Sequence, residues 1–177
     1  MSKAIIRKKI LNLRQRKFNN SFIDYLSLKV ILKKNLISKN KIIGGYFPVN
    51  FEVDCVQILK KLSKEGYKVS LPVIKKKNKM NFYLWNLNEP LKVNNLGIPE
   101  PYKNKKVYPD LILVPLVAYD KNKNRLGYGG GFYDRYIGKF KKKILTIGLA
   151  FSFQKVNSIQ INQFDQKLNY IQTENKK

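Results

Sequence analysis

Four glycines crowd into the five residues Gly127–Gly131, and Arg125, Asp134 and Arg135 frame them in the stretch RLGYGGGFYDR. Glycine permits positive φ and lets backbone N–H groups approach a ligand, so consecutive glycines can form a concavity lined with donors for phosphate. The two arginines can add bidentate contacts to phosphate oxygens, and Asp134 can hold Mg²⁺ through a hard oxygen ligand. Two common nucleotide motifs are excluded. A P-loop needs Lys followed by Ser or Thr after its second Gly, and the dinucleotide fingerprint needs a Gly where Phe132 stands. A glycine-rich hairpin turn is the alternative, although a turn rarely needs this many glycines with such flanks. Gly130→Val separates the two: a phosphate cradle predicts lost turnover with stability kept, and a hairpin predicts a loss of roughly 1 kcal/mol or more of stability.

Composition narrows the chemistry further. With no histidine and one cysteine, Cys55, the chain can build neither a Cys/His zinc site, nor an internal disulfide, nor a histidine-based triad. Catalysis must then come from carboxylates, Lys, Arg, Tyr, backbone donors or an oxygen-bound metal. The 177 residues, 44% of them hydrophobic, suit one globular domain over 1–177 with no linker or repeat. No apolar run reaches the roughly 18 residues of a membrane helix and no signal peptide is evident, so a cytoplasmic protein without membrane attachment is expected. The formal charge of +25 invites a nucleic-acid reading. Only five of the 36 basic residues are Arg, however, and the lysines spread over the whole chain among many Asn and Ile. That pattern suits compositional drift better than a binding face, and nucleic acid is the weaker reading.

The elements that must position the loop follow from periodicity. KAIIRKKILNLRQR, Lys3–Arg16, puts Ile6, Ile10 and Leu13 on one side of a basic helix, with Lys3 and Arg7 four apart on one face. By spacing alone that pair is a solvated face or an anion contact. A second helix is expected from a capping box at Ser21 and Asp24 after Asn19 and Asn20. KIIGGYFPV reads as a buried strand in which Gly44 and Gly45 let neighbours approach. A third helix follows, with Glu52 and Asp54 at its start and Gly66 past its end, and Cys55 as a buried small residue. YKVSLPVI and NFYLWN are strands, Leu87–Tyr108 is a long surface loop, PDLILVPLVAYD is a central strand of a parallel sheet and KKILTIGLAF a further buried strand. The fold class is therefore α/β: a mostly parallel central sheet flanked by helices, a Rossmann-like three-layer arrangement. In such sheets ligands bind beyond the carboxyl ends of the strands, which is where the glycine loop lies.

PDLILVPLVAYD with RLGYGGGFYDR resembles the signature of the 5-formyltetrahydrofolate cyclo-ligases, also called methenyltetrahydrofolate synthetases. The resemblance extends to the basic first helix, GYFPVNFEVD, LPVI, LGIPEP, IGLAF and YIQTE. It implies ATP as co-substrate with Mg²⁺, and closure of 5-formyltetrahydrofolate, with or without a polyglutamate tail, to 5,10-methenyltetrahydrofolate, ADP and phosphate. Phosphorylation of the formyl oxygen makes it a leaving group, and N10 then attacks the activated carbon. The implied ATP contacts are Lys3, Ala4, Ile5, Ile6, Arg7, Arg125, Leu126, Gly127, Tyr128, Gly129, Gly130, Gly131, Phe132 and Tyr133. Lys3, Arg7 and Arg125 would neutralise phosphoryl charge. The implied folate contacts are Phe47, Glu52 and Tyr128 through Phe132, and Asp134 and Asp165 are the implied metal ligands. Trp85 and Tyr102 are candidates for ring stacking, with core packing as the alternative. The sequence departs from the pattern at Lys123, where Gly is frequent, and at Phe132, where a Tyr is usual. A monomer is expected. A nucleic-acid-binding module and a catalytically idle relative that senses ATP or folate are the rival functions.

Overall fold

A computed structural model describes residues 1–18, 23–102, 105–140 and 144–174. The chain runs α1 (Lys3–Lys17), α2 (Tyr25–Lys34), β1 (Ile42–Gly44), α3 (Cys55–Lys64), β2 (Lys68–Lys75), β3 (Lys79–Leu84), β4 (Leu91–Val93), β5 (Pro99–Pro101), β6 (Lys106–Val107), β7 (Leu111–Pro115), β8 (Ala118–Tyr119), β9 (Arg125–Leu126), α4 (Phe132–Phe140), β10 (Leu145–Leu149) and β11 (Tyr170–Gln172). Seven strands form one sheet in the order β11-β10-β7-β1-β2-β3-β6, parallel from β11 to β2 and antiparallel at the β2–β3 and β3–β6 pairs. This is the expected α/β class.

The continuous apolar run of β7 is explained by burial on both faces. Leu111 and Leu113 point into a cluster with Leu28 and Leu32 of α2 and Leu59 and Leu62 of α3. Ile112 and Val114 alternate to the other face, where Phe82, Tyr136 and Ile137 cover them. Leu111, Ile112, Leu113 and Val114 are each fully buried, worth about 1.5–3 kcal/mol per side chain against leaving it in water. At Gly45 an added Cβ would meet Cys55 Sγ and Leu59 Cδ1, each at 2.7 Å, so α3 can lie close only because glycine is there.

α1 does not cover a sheet face. Its Ile6 and Ile10 pack on Val117, Ala118, Leu126 and Ile159, around the two-stranded β8–β9 ribbon. Leu13, expected on the same apolar side, is only half-buried, and the side chain that enters the interior in its place is Arg14. The capping residues expected at Asn19, Asn20 and Ser21 lie outside the described residues, as do Lys142 and Lys143 of the KKILTIGLAF strand; α2 is capped by Asp24, which accepts from Leu26 N at 2.9 Å.

The Leu87–Tyr108 segment, expected to be an irregular loop, contains the β4–β5 hairpin and β6. The prolines hid it. Pro99 and Pro101 cannot donate to a ladder, but β5 is an edge that pairs only with β4. Buried Glu100 fastens the hairpin, accepting from Ile74 N and Asn94 Nδ2 at 3.1 Å each. Trp85 belongs to the core beside α2 and α3 and Tyr102 is exposed, and neither of these ring-stacking candidates lines the cavity described below. No helix among the described residues is long and apolar enough to cross a membrane.

Candidate active site

A cavity of about 1110 Å³ opens beyond the carboxyl ends of β1 and β7, where Tyr46, Phe47 and Pro115 begin its wall. The glycine loop, Leu96–Pro99 of the β4–β5 hairpin, and the Asn162–Gln166 segment complete it. Lys3, Arg7, Phe47, Glu52, Asp134, Asp165 and every residue from Arg125 to Tyr133 line this one space, although they come from four separate parts of the chain. Ala4, Ile5 and Ile6 do not. A helix turns only every third or fourth residue to one side, so Ala4 and Ile5 are exposed and Ile6 is in the α1 packing cluster.

Around Lys3, cations and acids meet in pairs. Lys3 Nζ reaches Asp165 at 2.5 Å, and Arg125 Nη2 reaches Asp134 at 2.7 Å. Burial raises the Asp165 pKa, but the Lys3 hydrogen bond and the Asn162 backbone donor outweigh it and hold the carboxyl below its ordinary value. Burial likewise lowers the Arg125 pKa, against the pull of Asp134. Arg7 Nε donates to Gly127 O at 2.8 Å and docks the loop on α1.

Within the loop, Gly129 and Gly131 have φ of +107° and +64°, which side chains rarely adopt. Gly130 is different from what the sequence suggested. It needs no left-handed φ, and a Cβ there would strike Phe132 Cε2 at 2.6 Å. Arg135, expected to fork onto phosphate, instead spends its guanidinium on Asn78 O, at 3.0 Å, and on Gly130 O.

Farther along α1 the site is buried and nearly without ions. Glu52 is placed by a tight turn: its backbone N–H donates to Val49 O at 3.0 Å, and its Oε2 accepts from Val49 N at 2.9 Å. The two central residues, Asn50 and Phe51, have φ of +47° and +59°. Positive φ at both centres suits Asn but strains Phe, a cost of order 1–3 kcal/mol that fixes the carboxylate at the cavity wall. Burial pushes the Glu52 pKa from 4.5 up to about 7, opposed by the Val49 hydrogen bond, Arg14 and Tyr128. Tyr46 gives its hydroxyl to Val53 O at 2.9 Å, and burial pushes the Tyr46, Tyr133 and Cys55 pKa values well up, so all three are neutral at pH 7.

The sequence profile of the 5-formyltetrahydrofolate cyclo-ligase family matches residues 1–174. The chain belongs to that family. It is 36% identical over 141 residues to the 5-formyltetrahydrofolate cyclo-ligase of Haemophilus influenzae, covering 74% of this chain and 75% of that protein. The solved 5,10-methenyltetrahydrofolate synthetase of Aquifex aeolicus superposes with a TM-score of 0.74 at 31% identity, over 99% of this chain and 91% of that one. The Mycoplasma pneumoniae 5,10-methenyltetrahydrofolate synthetase, at 24% identity, shares the fold with a TM-score of 0.74 over 98% of this chain and all of that one. Membership makes the chain a ligase of folate one-carbon metabolism, an activity that implies ATP binding.

Two features of this cyclo-ligase site were not read from the sequence. Arg14 is one: it lies seven residues beyond Arg7, two turns along the same face, which is a spacing signal that could have found it. The strained Asn50–Phe51 turn is the other, and no residue there advertises it. At Lys123, where the family pattern has Gly, φ is +64°, which explains the glycine; here Lys123 also donates to Asn169 O at 2.9 Å. For metal, no group of three or more His, Cys, Asp or Glu that could hold an ion occurs among the described residues. Asp134 and Asp165 both line the cavity, and one or two carboxylates are what Mg²⁺ commonly takes from a protein, with water and substrate phosphate completing its shell.

Proposed function

We propose that this chain catalyses the ATP- and Mg²⁺-dependent closure of 5-formyltetrahydrofolate to 5,10-methenyltetrahydrofolate, releasing ADP and phosphate. The observation that carries the reading is that one cavity joins two chemically different halves. Along α1 the Cα atoms of Lys3 and Arg14 are about 16 Å apart at 1.5 Å per residue, long enough for a nucleotide and a folate ring to meet between them.

In the half around Lys3, the N–H groups of Gly129, Gly130 and Gly131 receive phosphate oxygens, and Lys3, Arg7 and Arg125 neutralise the charge that spreads over the transferred phosphoryl group. Asp134 and Asp165 would hold Mg²⁺, which when bound would neutralise phosphate charge. Lys3 and Arg125, paired with those carboxylates here, would then be available to the nucleotide. In the other half, Phe47, Phe132 and Tyr128 flank the folate ring system and Glu52 accepts from its polar edge. Transfer to the formyl oxygen forms a P–O bond as the bond to ADP breaks. N10 then attacks the formyl carbon with its electron pair, gives up its proton to the departing phosphate or to water, and the C–O bond breaks as phosphate leaves and the ring closes. The residues need only position the reactants and balance charge, which a chain without histidine can do.

Purified protein mixed with 5-formyltetrahydrofolate, ATP and Mg²⁺, followed by the absorbance of the conjugated product, tests this directly. Turnover should need all three and stop in excess chelator. Product formed without ATP, or at full rate in chelator, would sink the reading.

A further inference from the structure

Arg14 is 1% exposed, yet no carboxylate lies within ion-pairing distance of it among the described residues. Its Nη1 donates to Leu116 O at 3.3 Å, its Nη2 donates to the Tyr128 hydroxyl, and its Nε has no hydrogen-bond partner among the described residues. A buried guanidinium that only braced a carbonyl would be an expensive substitute for a hydrophobic side chain. Its second contact leads into the site. The Tyr128 hydroxyl accepts from Arg14, and Arg14 and Tyr128 both favour the charged form of the Glu52 carboxyl on the cavity wall. The ring of Tyr128 also lies 5.6 Å from the Arg14 guanidinium carbon, within cation–π range.

We propose that Arg14 is a positioning residue for the folate half of the cavity: hidden behind Tyr128, its guanidinium fixes that hydroxyl and supplies the counter-charge to the Glu52 carboxylate facing the substrate. This rests on the folate reading of the cavity. The other titratable groups acting around Glu52 are Tyr46 after β1, Cys55 at the head of α3, Tyr128 in the loop and Tyr133 on α4. All four are neutral at pH 7, so none can replace the charge of Arg14. A helix that carries Lys3 and Arg7 for one ligand thus carries Arg14 for the other, and it holds two consecutive residues of the loop, Gly127 and Tyr128.

The test uses the full-length protein and Arg14→Met, Arg14→Lys and Glu52→Gln. Affinities for 5-formyltetrahydrofolate and, separately, for ATP with Mg²⁺ are measured by calorimetry across the acid-to-neutral range, with thermal unfolding as a check. Wild-type folate binding should weaken as pH falls through about 7, where Glu52 takes up its proton, and Glu52→Gln should lack that limb. Arg14→Met should move the limb up by about one pH unit and cost about ten-fold in folate affinity at neutral pH, with ATP affinity changed less than about two-fold. Arg14→Lys should leave the limb in place but weaken folate binding, because one ammonium cannot hold both Leu116 O and Tyr128 in the arginine's fork. An unmoved limb in Arg14→Met, equal losses for folate and ATP, or a limb that survives Glu52→Gln overturns the proposal. If Arg14→Met does not fold, the lysine variant decides, and wild-type folate affinity in it overturns the proposal equally. Failure of the wild-type protein to bind 5-formyltetrahydrofolate at all would instead sink the folate reading on which the proposal rests.

Discussion

At the Lys3 end of the cavity each acid has a cation against it, Asp165 on Lys3 and Asp134 on Arg125; at the Glu52 end one carboxylate sits among neutral tyrosines with its counter-charge set back behind Tyr128. The first arrangement suits a ligand that brings its own charge, because ion pairs can be exchanged for phosphate and metal at little net cost. The second suits a largely neutral ring system, where a carboxylate kept near its titration point can accept a hydrogen bond without demanding a full salt bridge. One loop serves both ends, its backbone turned to the first and the Tyr128 side chain to the second.

The largest expected effect comes from Gly129→Val, which tests whether the two ends are separable. With φ at +107° and Arg7 Nη2 3.6 Å from an added Cβ, the change should cost more than about a hundred-fold in ATP affinity and about 1–3 kcal/mol in stability, while folate affinity stays within a few-fold. Calorimetric titration with both ligands measures it, and unchanged ATP binding would remove the loop's backbone from the phosphate site. Gly130→Val should differ, acting through the displaced Phe132 ring and weakening both ligands.

Next come Lys3→Ala and Arg7→Ala. Each should raise the KM for ATP about ten-fold and leave that for folate nearly unchanged, and the double variant should fall short of the product if both touch one anion. Independent effects, or a matching rise in the KM for folate, would return the pair to a solvated helix face.

Glu52→Gln sharpens the contrast through stability. Because burial raises the folded pKa from 4.5 to about 7, the folded protein binds more protons than the unfolded chain between those values, so wild-type stability falls as pH rises through that window. Glutamine escapes this penalty. The variant should therefore be the more stable by about 1–3 kcal/mol at pH 8, with the difference vanishing at and below about pH 4.5, in denaturant titrations at the two pH values. A variant less stable than wild type at pH 8 would mean that Arg14 and Tyr128 more than offset the burial.

The smallest effect is expected at the other end. Asp165→Asn should change stability by less than about 1 kcal/mol, since its ion pair with Lys3 is about one-quarter exposed and screened by solvent, yet it should raise the Mg²⁺ concentration needed for turnover. A large drop in melting temperature would make the pair structural.

Much of this is legible in the sequence. The loop residues, the Lys3–Arg7 spacing and the buried β7 run are local patterns, set by residue type and helical or strand period. The β4–β5 hairpin was hidden because prolines on an edge strand look like a loop. Arg14 was hidden because a basic residue near a helix end looks solvated unless one knows that β7 ends directly over it, with Leu116 O waiting for a donor.

By itself the sequence determined the α/β class, the exclusion of histidine and zinc chemistry, the glycine-rich anion loop and, through the family pattern spanning residues 1–174, the enzyme class. Tertiary structure alone decided which of those residues meet. Asp165 reaches Lys3 across 162 positions and Arg14 reaches Tyr128 across 114, and both depend on α1 docking on the β8–β9 ribbon. Electrostatics followed from the same packing. A carboxyl group's pKa depends on how much water and which charges surround it, so the raised pKa of Glu52 exists only once Asn50 and Phe51 have turned it into the wall, where burial outweighs the opposing charge of Arg14.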